Sequence, residues 1–159
     1  CACLVGSEMC IRDRGDADDS YNFLELSLFI ERLQAGYDMV MGNRFAGGIT
    51  KGAMPWLHRY VGNPFLSSLG RFLFKNNIGD FHCGLRAFTK KCYNIINPQC
   101  NGMEFASELV ALASIHQMRI CEIPVTLYPD GRKRRPHLRS WRDGFRHMVL
   151  LYSLYLLRN

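Results

Sequence analysis

No two of the seven cysteines stand at the close C-x-x-C spacing of a zinc site, and the chain lacks the composition of a small disulfide scaffold. Structural zinc and a stapled miniature fold are therefore excluded, and the thiols are expected to be reduced. No apolar run reaches the roughly 20 residues that a membrane-crossing helix takes; the longest, residues 148–157, stops at Arg158-Asn159. There is no zinc knuckle, no aromatic RNP-type pattern and no basic recognition helix separate from that apolar tail. Nucleic acid is accordingly not expected as a partner.

What is present is ordinary globular material, 48% hydrophobic and 21% charged, enough for one core and one domain at most. The formal net charge of +6 gathers near the C-terminus, at Arg132-Lys133-Arg134-Arg135, His137, Arg139, Arg142, Arg146 and His147. Such a stripe attracts phosphate, whether of lipid, nucleotide or nucleic acid, and charge alone does not distinguish them. Residues 1–14 stand apart. Leu4 to Asp13 reads as the in-frame translation of a sequencing-library adapter, so 1–14 is set aside from fold reasoning and the true N-terminal half is expected to be missing. Four cysteines then remain, Cys83, Cys92, Cys100 and Cys121, and Cys83 is expected to be a small buried packing residue.

The rest reads as α/β. Asn22 to Leu33 is dense in apolar residues at helical spacing and is closed by Gly36; Tyr37 to Phe45 follows as a buried strand. A helix is predicted over Met54 to Phe74, with Pro55 in its first turn and a kink or division at Asn63-Pro64. Gly84 to Thr89 reads as a short strand, Lys90 to Ile96 as a turn or two of helix and Met103 to Gln117 as a helix. Arg119 to Tyr128 is the clearest strand, with Pro124 marking an edge or bulge. Strands alternating with helices predict a mainly parallel sheet flanked by helices, with ligands at the carboxyl ends of its strands.

Chemistry concentrates in a few blocks. Asp16 and Asp18, one residue apart after Gly15, can share one divalent cation, and oxygen-only ligands of this kind suit Mg²⁺ or Mn²⁺. Downstream come Gly42-Asn43-Arg44, then Gly79-Asp80-Phe81-His82-Cys83-Gly84-Leu85-Arg86, then Gly102-Met103-Glu104-Phe105-Ala106-Ser107-Glu108. In that order the blocks resemble the family 2 glycosyltransferases, in the branch related to dolichyl-phosphate mannosyltransferase and polyprenyl-phosphate glycosyltransferases. The resemblance runs from Gly15 to about Arg146 and implies the C-terminal part of a GT-A domain over 15–138, followed by a truncated juxtamembrane helix over 139–159.

The resemblance also implies roles. The enzyme would be an inverting, metal-dependent hexosyltransferase using a UDP- or GDP-sugar donor and a lipid acceptor, with polyprenyl phosphate favoured over a glycan hydroxyl. It would work at the cytoplasmic face of a membrane, and the fragment alone would be inactive. Asp18 and Asp16 would hold the metal, Asp16 and Asn43 would touch the donor, and Arg44 and Arg86 would meet phosphates. Asp80 would order the acceptor loop and Glu108 would lie near sugar or acceptor. Arg132, Lys133, His137 and Arg139 would contact diphosphate or lipid phosphate. A noncatalytic membrane-associated scaffold is the competing class; it explains the basic stripe but leaves the acidic triplet and the glycine-led blocks unexplained.

Overall fold

The computed structural model describes the backbone of residues 2–6, 9–14, 20–100, 102, 104–129 and 140–158, and side chains from Ser20 onward within those ranges except at 23, 140, 141 and 143. Five strands form one sheet: β1 (Ala2–Gly6), β2 (Met9–Arg14), β3 (Met39–Asn43), β4 (Arg86–Thr89) and β5 (Ile120–Pro124), in the order β1-β2-β4-β3-β5. The expected α/β class is present, but the pairing differs from the mainly parallel sheet expected. Only β3 and β5 pair in parallel; β4 runs antiparallel to both β3 and β2. β4 lies at the centre of the sheet between two strands that run the other way, and Lys90–Ile96 (α4) follows it directly. The 1–14 segment set aside above forms the β1–β2 hairpin at the other side of the sheet.

Alternation along β3 divides the core into two layers, because successive side chains point to opposite faces. Val40 joins Phe29 and Leu33 of α1 (Leu26–Gln34), together with Leu85, Ala87, Ile123 and Val125, on one face. Met39 and Met41 join Phe81, Phe88, Cys92 and Ile96 with Leu109, Val110 and Ala113 of α5 (Phe105–Ile115) on the other. Both methionines and Val40 are fully buried, as expected of an inner strand covered on both sides. Outside α5 lies a third cluster, in which Leu73 and Phe74 of α3 (Asn63–Phe74) meet Ala111 and Leu151, the latter on α6 (Ser140–Arg158).

The predicted break at Asn63-Pro64 has a definite form. The helix before it passes through a π-helical turn, His58–Gly62, and resumes as α3 with Pro64 in its first turn. Proline offers no N–H to the preceding turn, and a wider turn just upstream accommodates its ring. The predicted strands and helices are otherwise found slightly shortened. The strand expected over Arg119 to Tyr128 ends at Pro124 on the sheet edge, after which Leu127 makes one isolated parallel bridge to Ile49.

Gly70 is the tightest contact between the helices and the loop that leads into β4. A Cβ at this position would stand 2.5 Å from two ring carbons of Phe81, itself fully buried. Gly70→Ala is therefore expected to lower stability by about 1–3 kcal/mol through overpacking, despite a gain of up to about 1 kcal/mol in helix propensity. Thermal melts followed by circular dichroism would test this; a raised melting temperature would contradict the packing described.

Candidate functional site

β2 and β3 run in the same direction, and Arg14, Arg86 and Met41 lie in register across β2, β4 and β3. The sheet therefore has one edge where β2 and β3 end and β4 begins. Asn43 and Arg44 stand at the end of β3, and the 79–85 loop enters β4 there. Asp16 and Asp18 themselves lie outside the described residues, as do Arg132, Lys133, His137 and Arg139. Among the described residues no group of three or more His, Cys, Asp or Glu side chains could hold a metal ion.

At the centre of this edge is a buried ion pair. Arg44 opens a short helix, α2 (Arg44–Gly47), and its Nε and Nη2 each donate to one carboxylate oxygen of Asp80 at 2.7 Å. The Arg44 backbone N–H adds a bond to Oδ2 at 3.2 Å, and the His82 backbone N–H donates to Oδ1 at 3.2 Å. Burial pushes the Asp80 carboxyl upward, but the hydrogen bonds and charge of Arg44 outweigh it and hold its pKa below the ordinary value. The guanidinium, which burial would push down, is held up in turn by Asp80. Behind the pair, the Glu122 carboxylate of β5 accepts the backbone N–H of Gly79 at 2.9 Å and of Asp80 at 3.0 Å. Sequence reasoning missed Glu122, although a carboxylate inside an otherwise apolar strand is the signal that could have found it.

The other candidates fall into place around this pair. Asn43 serves as the N-cap of α2, its Oδ1 accepting from the Ala46 N–H at 2.9 Å, and its side chain abuts Gly79 so closely that a Cβ there would meet Nδ2 at 2.8 Å. Arg86 is buried, with Nη2 donating to the Cys83 carbonyl and Nη1 to that of Ala106 at 3.3 Å. The sequence reading offered both guanidiniums to phosphates. In the structure, Arg44 grips the Asp80 carboxylate and Arg86 donates to two carbonyls. Glu108 is not brought to the pair; its two oxygens accept the backbone N–H groups of Gln99 at 3.0 Å and Cys100 at 2.8 Å.

Two histidines extend the site towards α6. Ser107 Oγ lies 3.0 Å from His82 Nε2 and 2.8 Å from His147 Nδ1, and the two rings meet edge to face with centroids 4.8 Å apart. A consistent proton arrangement has neutral His82 donating from Nε2 to Ser107, whose hydroxyl donates to His147. His82 Nδ1 is buried without a hydrogen-bond partner among the described residues. Burial, with His147 alongside, lowers the His82 pKa from 6.5 to about 3. Cys83 is fully buried as expected, and burial pushes its thiol up to about 11, so it is no nucleophile at neutral pH.

No protein-family model matches the chain. Similarity to characterised proteins is nonetheless extensive. A low-salt glycan biosynthesis hexosyltransferase of Haloferax volcanii is 38% identical over 135 residues, which is 84% of this chain and 32% of the relative. A dolichyl-phosphate hexose transferase of the same organism is 33% identical over 112 residues, 69% of this chain and 46% of the relative. A polyprenol monophosphomannose synthase of Mycolicibacterium smegmatis is 30% identical over 114 residues, 70% of this chain and 43% of the relative. The chain thus spans 32–46% of the length of these curated relatives.

Two outcomes follow from the geometry. Asp80→Asn strands a buried guanidinium and is expected to destabilise the chain by about 3–5 kcal/mol, with Arg44→Met added to it restoring part of the loss. Urea unfolding of the single and double variants measures this; a neutral Asp80→Asn would show that the pair does not hold the loop. The second concerns pH. An unfolded imidazole takes its proton near pH 6.5, whereas folded His82 resists until about pH 3. Its contribution to stability is complete above pH 6.5 and declines as pH falls below it, by up to about 1.4 kcal/mol per unit. His82→Gln should flatten the stability profile between about pH 6.5 and 4.5; an unchanged slope would show that His82 is protonated in the folded chain.

Proposed function

We propose that this chain, which belongs among the glycosyltransferases, is part of an enzyme that moves a hexosyl group from a UDP- or GDP-sugar to a polyprenyl phosphate, with inversion at the sugar carbon. The observation that carries this reading is the similarity, over 69% and 70% of the chain, to relatives named for dolichyl phosphate and for polyprenol monophosphomannose. The activity is that of the whole protein, of which this chain resembles less than half.

Transfer to a phosphate needs alignment and charge matching more than a base, because the acceptor oxygen is already ionised. The described carboxylates suit that requirement. Asp80 has both oxygens on Arg44 and a depressed pKa, and Glu108 has both on backbone N–H groups. Neither is placed to take a proton from a hydroxyl acceptor, which favours phosphate over a glycan hydroxyl. Asp80 and Arg44 are instead positioning groups: they fix the 79–86 loop across the strand ends. Asp16 and Asp18 offer an all-oxygen donor set for Mg²⁺ or Mn²⁺, and the ion, when bound, would offset charge growing on the departing diphosphate. Asn43, adjoining Gly79, lies at the same strand ends. Arg132, Lys133, His137 and Arg139 supply the positive charge for the diphosphate or the lipid phosphate, and the parent enzyme works at the cytoplasmic face of a membrane.

The parent protein, recovered at full length in membranes, should transfer label from UDP-glucose or GDP-mannose into organic-extractable lipid when polyprenyl phosphate and Mg²⁺ or Mn²⁺ are supplied. Asp18→Ala should abolish that label. Donor hydrolysis without lipid label would keep the glycosyltransferase and reject the acceptor; neither signal from folded protein would favour a noncatalytic scaffold.

A further inference from the structure

Among the described residues, the hydrogen bonds of the loop from Gly79 to Gly84 run to the strand ends, to α3 and to Tyr21, with one exception. Glu122 takes the amides of Gly79 and Asp80, Arg44 takes the Asp80 carboxylate, and Ser67 Oγ of α3 accepts the Phe81 N–H at 3.2 Å. The Gly84 N–H donates to the Tyr21 hydroxyl at 3.0 Å, and Cys83 packs so closely on Gly42 that a Cβ there would stand 2.7 Å from its Sγ. The exception is the His82 ring, which meets Ser107 of α5 through Nε2. Its Nδ1 is buried without a partner among the described residues, so a single hydrogen bond orients the imidazole.

Ser107 is fully buried, and its one hydroxyl proton stands between two rings, His82 at 3.0 Å and His147 of α6 at 2.8 Å. A hydroxyl so placed can donate to only one of them, so one ring must present an N–H and the other a lone pair. The two imidazoles are therefore coupled. Withdrawing His147 removes the acceptor that fixes the direction of the hydroxyl, and with it the oxygen lone pair aimed at His82. The coupling spans three elements. His82 adjoins Asp80, and its own N–H is one of the donors to that carboxylate, while α6 begins directly after Arg139, the last of the basic residues proposed to meet phosphate.

We infer that Ser107 and His147 are positioning residues for the 79–86 loop: the docking of α6 on α5 fixes, through the Ser107 hydroxyl, the orientation of His82 and so the fit of the loop to its lipid-phosphate acceptor. The acceptor part rests on the function proposed above; the coupling of α6 to the loop does not. Neither residue contributes to the Arg44–Asp80 pair or to the Glu122 contacts, so loss of the relay shifts the loop without unfolding it.

Hydrogen exchange on the chain itself tests the coupling with no donor or acceptor present. His147→Leu keeps an apolar side chain on α6 but removes the acceptor. The amides of Phe81, His82 and Gly84 should then exchange about tenfold faster, the worth of one buried hydrogen bond, while those of β3 keep their rates. Ser107→Ala should act as His147→Leu does, and His147→Asn, whose side-chain oxygen can accept in place of Nδ1, should restore the original rates. An unchanged loop in His147→Leu, equal acceleration in β3, or no rescue by His147→Asn would each overturn the inference. In the full-length parent, His147→Leu should raise the KM for polyprenyl phosphate about tenfold and leave kcat and the nucleotide-sugar KM unchanged, with His147→Asn recovering the acceptor KM. A lower kcat at unchanged acceptor KM would overturn the acceptor part. A parent with no transferase activity would instead count against the proposed function, and the exchange rates would still decide whether α6 sets the loop.

Discussion

Everything at the functional edge depends on one carboxylate being held on all sides. Asp80 is fully buried, and the cost of burying its charge is offset by a forked guanidinium and two backbone N–H groups. Arg44 is placed to do this because Asn43 caps the short helix that starts at the end of β3. The loop that presents Asp80 is placed because Glu122, one strand away, receives two of its amides. Three elements distant in sequence are therefore locked by oxygen atoms of two carboxylates. Such a lock tolerates little change on either side, since removing one partner leaves the other charged and dry.

The same loop is tied outward as well as inward. His82 follows Asp80 by two residues, and its ring is joined through Ser107 to His147 on α6, while Arg146 pairs with Glu104 at the start of α5. α6 is thereby docked by polar contacts at Arg146 and His147 and, one turn further on, by Leu151. The position of the C-terminal helix and the conformation of the loop around Asp80 are parts of one network.

Much of this fold was legible in the sequence, and for identifiable reasons. Period 3.6 in 22–33 and 54–74, and the apolar strands around Val40 and Ile123, are one-dimensional patterns that survive into three dimensions. The break at Pro64 followed from the missing N–H. Strand direction was not legible, because the antiparallel course of β4 is set by which neighbours it meets. The candidate residues divide in the same way. Asp80, Arg44 and Arg86 were found because the blocks that carry them resemble those of the family 2 glycosyltransferases. The pairing of Arg44 with Asp80 and the contacts to Glu122 and Ala106 were not, since they are identified only by folding. The motif exposed that arginines matter here; it could not show that Arg44 and Arg86 turn inward.

The π-helical turn before Pro64 has a consequence for phase. A turn that takes in an additional residue rotates everything upstream of it about the helix axis, by about 100° for each residue. Trp56 and Tyr60 therefore face where they do, relative to Phe65 and Phe72, because His58–Gly62 takes more residues per turn than an α-helix. A single-residue deletion within that turn would let it relax to an ordinary α turn with the two halves still in phase, whereas a regular α-helix of unchanged length would turn them about 100° apart, so the aromatic stripe is a property of spacing as much as of residue type.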